Sequence, residues 1–121
     1  MKTGVIILGH GSRSTDALVT VRKIKEMVAG AGNFDAVEVA SLQFNQPDLP
    51  ASLASMAAGG MQRVIVAPLF LYMGLHMKED IPEILAEHKK IYPGMEIIMT
   101  RNIGADQKLA DIVLDRIGEV S

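Results

Sequence analysis

Cysteine is absent from the 121 residues, which excludes disulfides, thiolate metal sites and cysteine nucleophiles. Tryptophan is absent too, and aromatic residues reach only 4%. So few rings argue against a stacking platform for bases or sugars. Neither sign of charge dominates: Lys plus Arg is 12, Asp plus Glu is 14, and the formal net charge is −2. That balance supplies no basic face for nucleic acid. No apolar run approaches the ~20 residues of a membrane span, so no membrane partner is expected. Lys2 leads into a short apolar strand and then a polar loop. No signal peptide is visible, and the cytoplasm is the expected location.

What is present is ordinary globular composition, 49% apolar and 21% charged. The length predicts one domain over residues 1–121. Such a chain can bury roughly two-thirds of the surface it exposes when unfolded. Methionine, at 8 residues, reads as flexible core filler.

Two periodicities alternate along the chain. Continuous, largely β-branched runs at Gly4–Leu8, Val37–Leu42, Arg63–Leu71 (clearest over Val64–Ala67) and Glu96–Thr100 predict buried strands. Helical spacing follows each of them. Leu18, Val21, Ile24 and Val28 mark the first helix, capped by Ser14 or Thr15 and stopped at Gly30–Asn33. The second runs from about Leu49 to Ala58. The third runs from about Lys78 to Ile91, with Pro82 tolerable in its first turn only. The last spans Ala105–Val120, with Leu109, Ile112, Val113, Arg116 and Ile117 along one side. The order βαβαβαβα predicts an α/β fold, a four-stranded parallel sheet in a three-layer αβα sandwich.

Ligands in such sheets bind beyond the carboxyl ends of the strands. Two histidines fall there, His10 after the first strand and His76 after the third. Imidazole ligates borderline divalent cations and accepts a proton near neutral pH. Gly9 and Gly11 flank His10, and Ser12 with Arg13 offers an anion site at a helix start. The same residues also make a plain tight turn with a capping serine. Asp80, four residues after His76, is placed to orient it or simply to sit in a helix first turn. His88, near a helix end, reads as a surface residue complementing the dipole. Gln43, Asn45 and Gln46, and Arg101–Asn102 after the fourth strand, are weaker candidates at the same edge.

Taken together, His10-Gly11-Ser12-Arg13 and the stretch Pro68–Pro82, with its Gly74, His76 and Asp80, resemble the short-form class II tetrapyrrole chelatases. Ile103-Gly104-Ala105-Asp106 is also similar to that family, and the resemblance covers essentially the whole chain. It implies a chelatase-like fold equivalent to one lobe of the bilobal members. It implies insertion of a divalent metal into sirohydrochlorin, cobalt first, with nickel or iron as alternatives. The metal is then a substrate, with no prosthetic group, ATP or redox cofactor. By the resemblance His10 is proton acceptor and metal ligand, and His76 is the second metal-binding histidine. Leu71, Tyr72, Met73, Gly74, Leu75 and His76 form the loop along the macrocycle, and Gln46 approaches the substrate, joined by Ser12 and Arg13. Many relatives are acidic where Gln43 and Gln46 stand, so here the histidines carry more of the work.

Two rivals share these residues. A histidine phosphatase places its nucleophile after the first strand, but arginine usually precedes it, where this chain has Gly9. A non-catalytic carrier of metal or tetrapyrrole would use the same histidines without turnover. A chain matching one lobe is expected to form a homodimer that closes the cleft.

Overall fold

Strand and helix alternate from end to end. The computed structural model describes residues 1–121. The strands are β1 (Thr3–Gly9), β2 (Ala36–Ser41), β3 (Arg63–Pro68) and β4 (Glu96–Met99). The helices are α1 (Thr15–Ala31), α2 (Leu49–Ala58), α3 (Leu75–Ile91) and α4 (Gln107–Val120). The sheet is wholly parallel, in the order β2-β1-β3-β4. The predicted four-stranded, three-layer architecture is therefore present. The chain steps one way from β1 to β2 and the other way from β3 to β4. The crevice between β1 and β3 is thus the switch point, where α/β sheets place their ligands.

Right-handed crossovers set α1 on one face of the sheet and α2 and α3 on the other. The second face holds the main core. Ile6, Leu8, Ala40, Val64, Val66 and Ile97 point from the strands towards Leu49, Leu53 and Met56 of α2 and Ile81 and Leu85 of α3. Burying each such side chain stabilises the fold by about 1.5–3 kcal/mol relative to leaving it exposed. On the α1 face, the register sets Val37, Val5, Ile65 and Ile98 in one row across the sheet. Val5 and Ile7 are buried, while Val37, Val39, Ile65, Ala67 and Ile98 are only half-buried.

Local chemistry sets the helix starts. The Asp48 carboxylate accepts from Ala51 N–H at 2.9 Å and caps α2, with Pro50 in the first turn. The Asp106 carboxylate accepts from Lys108 N–H at 2.8 Å, so α4 begins at Gln107 rather than Ala105. Ser14 is the N-cap residue of α1 but makes no side-chain cap; its N–H donates to Ser12 Oγ at 3.0 Å.

Three expectations are corrected. First, α3 begins at Leu75, not near Lys78, because Lys78 N–H already donates to Gly74 carbonyl at 3.1 Å. Pro82 consequently lies beyond the first turn, inside the helix, and leaves the Lys78 carbonyl without its i+4 donor. Burial of Ile81 and Leu85 on either side offsets that loss. Second, His88 is not a surface residue. It is buried, with Nδ1 2.7 Å from the Ile84 carbonyl and its ring beside Tyr92. Third, α4 starts two residues later than the expected Ala105, and its apolar side is left exposed, for the helix buries no residue at all.

Candidate functional site

β1 is buried along nearly its whole length and delivers His10 to solvent at its carboxyl end. The imidazole meets the Phe70 ring edge-on, with centroids 4.9 Å apart and planes at 62°. Phe70 is itself buried, so it fixes one side of the histidine while the other stays open. Below the ring, a small cavity of about 130 Å³ runs under the start of α1, lined by Gly11, Ala17, Leu18 and Val21 among others. Above it, an open cavity of about 280 Å³ is lined by His10, Leu69, Phe70, Leu71, Tyr72 and Met77. His10 is the single residue common to both.

The His10 loop is stitched to the loop after β2. Leu42 N–H donates to Gly9 carbonyl at 3.0 Å, and Gln43 N–H to His10 carbonyl at 3.2 Å. Ser12 N–H donates to the Asn45 side chain at 2.8 Å. Gly11 makes the close approach feasible. Its φ is +86°, and a Cβ there would lie 1.7 Å from the Gln43 carbonyl oxygen. Phe44 also takes a positive φ, 67°, unusual for a bulky residue. Its exposed ring carries the Arg13 guanidinium 4.8 Å from the centroid, a cation–π contact.

The loop after β3 is held differently. Asn102 donates its amide to the Leu71 carbonyl at 3.0 Å, and Ile103 N–H donates to the Phe70 carbonyl at 2.9 Å. The backbone is thereby fixed, while Leu71 and Tyr72 point into solvent, 56% and 79% exposed. Apolar side chains left open beside a histidine form a surface for a flat, largely apolar ligand.

The structure brings together His10, Leu71 and Tyr72 on one cavity, and Ser12 and Arg13 lie on the same loop as His10. Met73 is half-buried and packs against the main core rather than facing outward. Gly74 is the N-cap residue of α3. Leu75 and His76 therefore belong to the first helical turn and not to the loop, both exposed, one turn position before the cavity-lining Met77. Asp80 is exposed and makes no hydrogen bond to His76. Gln46 accepts from Asp48 N–H at 3.2 Å and lines a separate cavity with Arg22 and Lys25, at the β2 edge. Nowhere do three His, Asp or Glu side chains converge so as to hold a metal ion. Phe70, Phe44 and Met77 are site residues that sequence reasoning did not single out, whereas Asn45 was among its weaker candidates. Only the positive φ at Phe44 and the packing of Phe70 reveal them, and neither has a signature in residue spacing.

Residues 4–120 match the family described as CbiX. The chain is 33% identical to a sirohydrochlorin cobaltochelatase of Methanococcus aeolicus, over 93% of this chain and 95% of that protein. It is 31% identical to the chloroplastic sirohydrochlorin ferrochelatase of Arabidopsis thaliana, over 94% of this chain and 51% of that protein. Among solved structures, the sirohydrochlorin chelatase SirB of Bacillus subtilis subspecies spizizenii in complex with cobalt superposes with a TM-score of 0.91 at 27% identity. That match covers 99% of this chain and 51% of the other. A CbiX protein from Marinobacter aquaeolei VT8 shares the fold, with a TM-score of 0.82 at 24% identity, covering 97% of this chain and 95% of the other.

Proposed function

The chain belongs to the CbiX family, and from that membership we propose that it inserts a divalent metal ion, cobalt first, into sirohydrochlorin. The observation that carries the reading is the placement of His10, exposed at the β1–β3 switch point beneath an open apolar cavity.

Insertion exchanges one divalent cation for two protons on the pyrrole nitrogens. The protein must present the ion, orient the ring and remove the protons. In this reading the macrocycle lies along Leu71 and Tyr72, whose exposed side chains bury apolar surface against its face. His10 and His76 present the ion through neutral imidazole nitrogens. As ring nitrogens replace them, the freed His10 imidazole accepts one of the two protons and solvent water takes the other, so ligation and basicity follow one another on the same nitrogen. A donor set of two imidazoles without a convergent carboxylate suits an ion that must leave, because a closed set of protein ligands would retain it. Arg13, held over Phe44, and Ser12 present a cation and a hydroxyl to the carboxylates of the substrate.

The reading includes a cytoplasmic homodimer acting on sirohydrochlorin and a divalent ion, without a prosthetic group. The test is an insertion assay with purified protein, sirohydrochlorin and Co²⁺, Ni²⁺ or Fe²⁺, followed by absorbance. Repeated turnover with Co²⁺ above the spontaneous rate is expected. A single stoichiometric uptake would indicate a carrier, and no turnover with any of the three ions would overturn the reading.

A further inference from the structure

Two cavities meet between α1 and the sheet, and one buried hydroxyl stands where they join. The smaller, about 130 Å³, lies under His10 and is walled by Gly9, Ala17, Leu18, Val21 and Val39. A Cβ at Gly9 would meet nothing nearer than Val21 Cγ2 at 4.0 Å, so this compartment is open space. The larger, about 340 Å³, opens at the β2 edge of the sheet, between α1 and Gln46–Pro47. Leu18, Val39 and Ser41 line both. Ser41 is only 4% exposed, yet the bonds around it, from Ser12 to Asn45 and from Asp48 to Gln46, leave its hydroxyl without a partner. Buried hydroxyls are normally hydrogen-bonded, so one that opens on two cavities marks the place of a polar ligand atom.

The compartments differ in chemistry. The inner walls are almost wholly aliphatic. An apolar cavity of about 150 Å³ holds benzene, so this one takes a short alkyl chain. The outer compartment carries cations. Arg22 and Lys25, three residues apart on α1, lie on one helix face. Lys25 Nζ is answered by Glu26 at 3.3 Å, whereas Arg22 makes no ion pair. Glu38 turns its carboxylate away to α2, where it accepts from Ser52 Oγ at 3.0 Å and Ser55 Oγ at 3.1 Å. The mouth therefore holds one uncompensated guanidinium beside the Ser41 hydroxyl. Joined, the two compartments reach the size of small-ligand sites, about 300–1,000 Å³.

We propose that this crevice between α1 and β2 binds a small aliphatic monocarboxylate, its chain inserted beneath His10 and its carboxylate held between Arg22 and Ser41. Guanidinium and carboxylate make charge-assisted bonds in a matched planar geometry. The ligand also supplies the partner that the Ser41 hydroxyl lacks. A neutral molecule leaves Arg22 unanswered, and an inorganic anion leaves the aliphatic compartment empty. The site goes beyond the metal-insertion reading. The outer compartment shares no residue with the open cavity above His10, so it is reached from the β2 edge and not from the macrocycle's side.

The probe is pentanoate, titrated into the wild-type chain and followed by backbone amide resonances. Saturable shifts are expected at Gly11, Val39 and Ser41 and not at Leu71 and Tyr72; no saturation, or shifts at Leu71 and Tyr72 alone, overturns the proposal. Acetate, which lacks the chain, should bind about fiftyfold more weakly, at about fourfold per methylene. Pentan-1-ol, which lacks the charge, should also bind more weakly than pentanoate. Equal affinity for either control overturns the two-compartment site. Arg22→Ala, at an exposed position, should weaken pentanoate about tenfold, and Arg13→Ala should leave it unchanged. The reverse order would put the ligand on the macrocycle's side and overturn the assignment. Ser41→Leu fills the junction and should abolish binding. Ser41→Ala, which removes a single oxygen and spares the fold, should weaken it about fivefold. Unchanged affinity in Ser41→Ala, or in a folded Ser41→Leu, overturns the role of the junction. None of these readouts uses metal insertion, so pentanoate binding by a chain without chelatase turnover would sink the functional reading and leave the crevice standing.

Discussion

The two faces of one sheet behave differently. On the α2–α3 face, strands and helices close on each other, and Ile6, Leu8, Leu53, Val64 and Val66 are excluded from water entirely. On the α1 face, α1 has not a single buried residue, and α4, packed on neither face, has none either. Both helices have amphipathic spacing, so the difference does not lie in the pattern. It lies in what the pattern meets. One face closes within the chain, and the other leaves Val37, Val39, Ile65, Ala67 and Ile98 half-buried. The loops at the sheet edge repeat the contrast: the turn after β1 is sewn to the turn after β2, whereas the loop after β3 offers its side chains to solvent.

The largest effect expected from this contrast is in stability. Leu53→Ala removes a fully buried side chain from the packed face and should cost about 2–5 kcal/mol in chemical denaturation. Val19→Ala on α1, at 46% exposure, should fall within about 0.5 kcal/mol. Comparable losses at both positions would show that the two faces are equally packed and would break the comparison.

Next comes activity. His10→Ala should lower chelatase kcat/KM about a hundredfold at limiting metal, the usual scale for losing a positioned proton acceptor. Its melting temperature should not fall, because the side chain is exposed. A variant with full activity would remove His10 from the mechanism. Gly11→Ala attacks the stitched loops instead. A methyl driven into the Gln43 carbonyl at positive φ should cost about 1–3 kcal/mol and displace His10, so that stability and turnover fall together. If turnover alone fell, the stitching would be dispensable to the fold.

The sheet, the order of its elements and the placement of His10 were all legible in residue order, because continuous β-branched runs and helical spacing are local signals. The start of α3 was not. Gly74 reads as a turn residue, yet here it occupies a helix N-cap with extended backbone, so His76 moves from loop to helix. His88 departs from the expected surface position for a related reason. Its neighbours Glu87, Lys89 and Lys90 are charged and exposed, but the helix turns its own position inward beside Leu85. The stripe on α4 predicts an apolar contact and cannot say with what. Spacing encodes a face, and only the packed chain tells whether that face has a partner.

The smallest effect sharpens the comparison most. Asp48 and Asp106 make the same bond, each carboxylate accepting one backbone N–H at the start of its helix, at 2.9 and 2.8 Å. Asp48→Ala uncaps α2, which is welded to the core by Leu49, Leu53 and Met56, so it should lower global stability by about 1 kcal/mol. Asp106→Ala uncaps α4, which buries no residue of its own and meets the chain mainly through Leu109 and Ile112 beside the loop after β3. Loss of this cap should fray the helix and leave the global midpoint unchanged to within about 0.3 kcal/mol. Hydrogen exchange should then report α4 amides opening independently of those in α2. Equal midpoint shifts for the two caps would mean that α4 unfolds with the core, and that the apparent asymmetry of the two faces is not energetic.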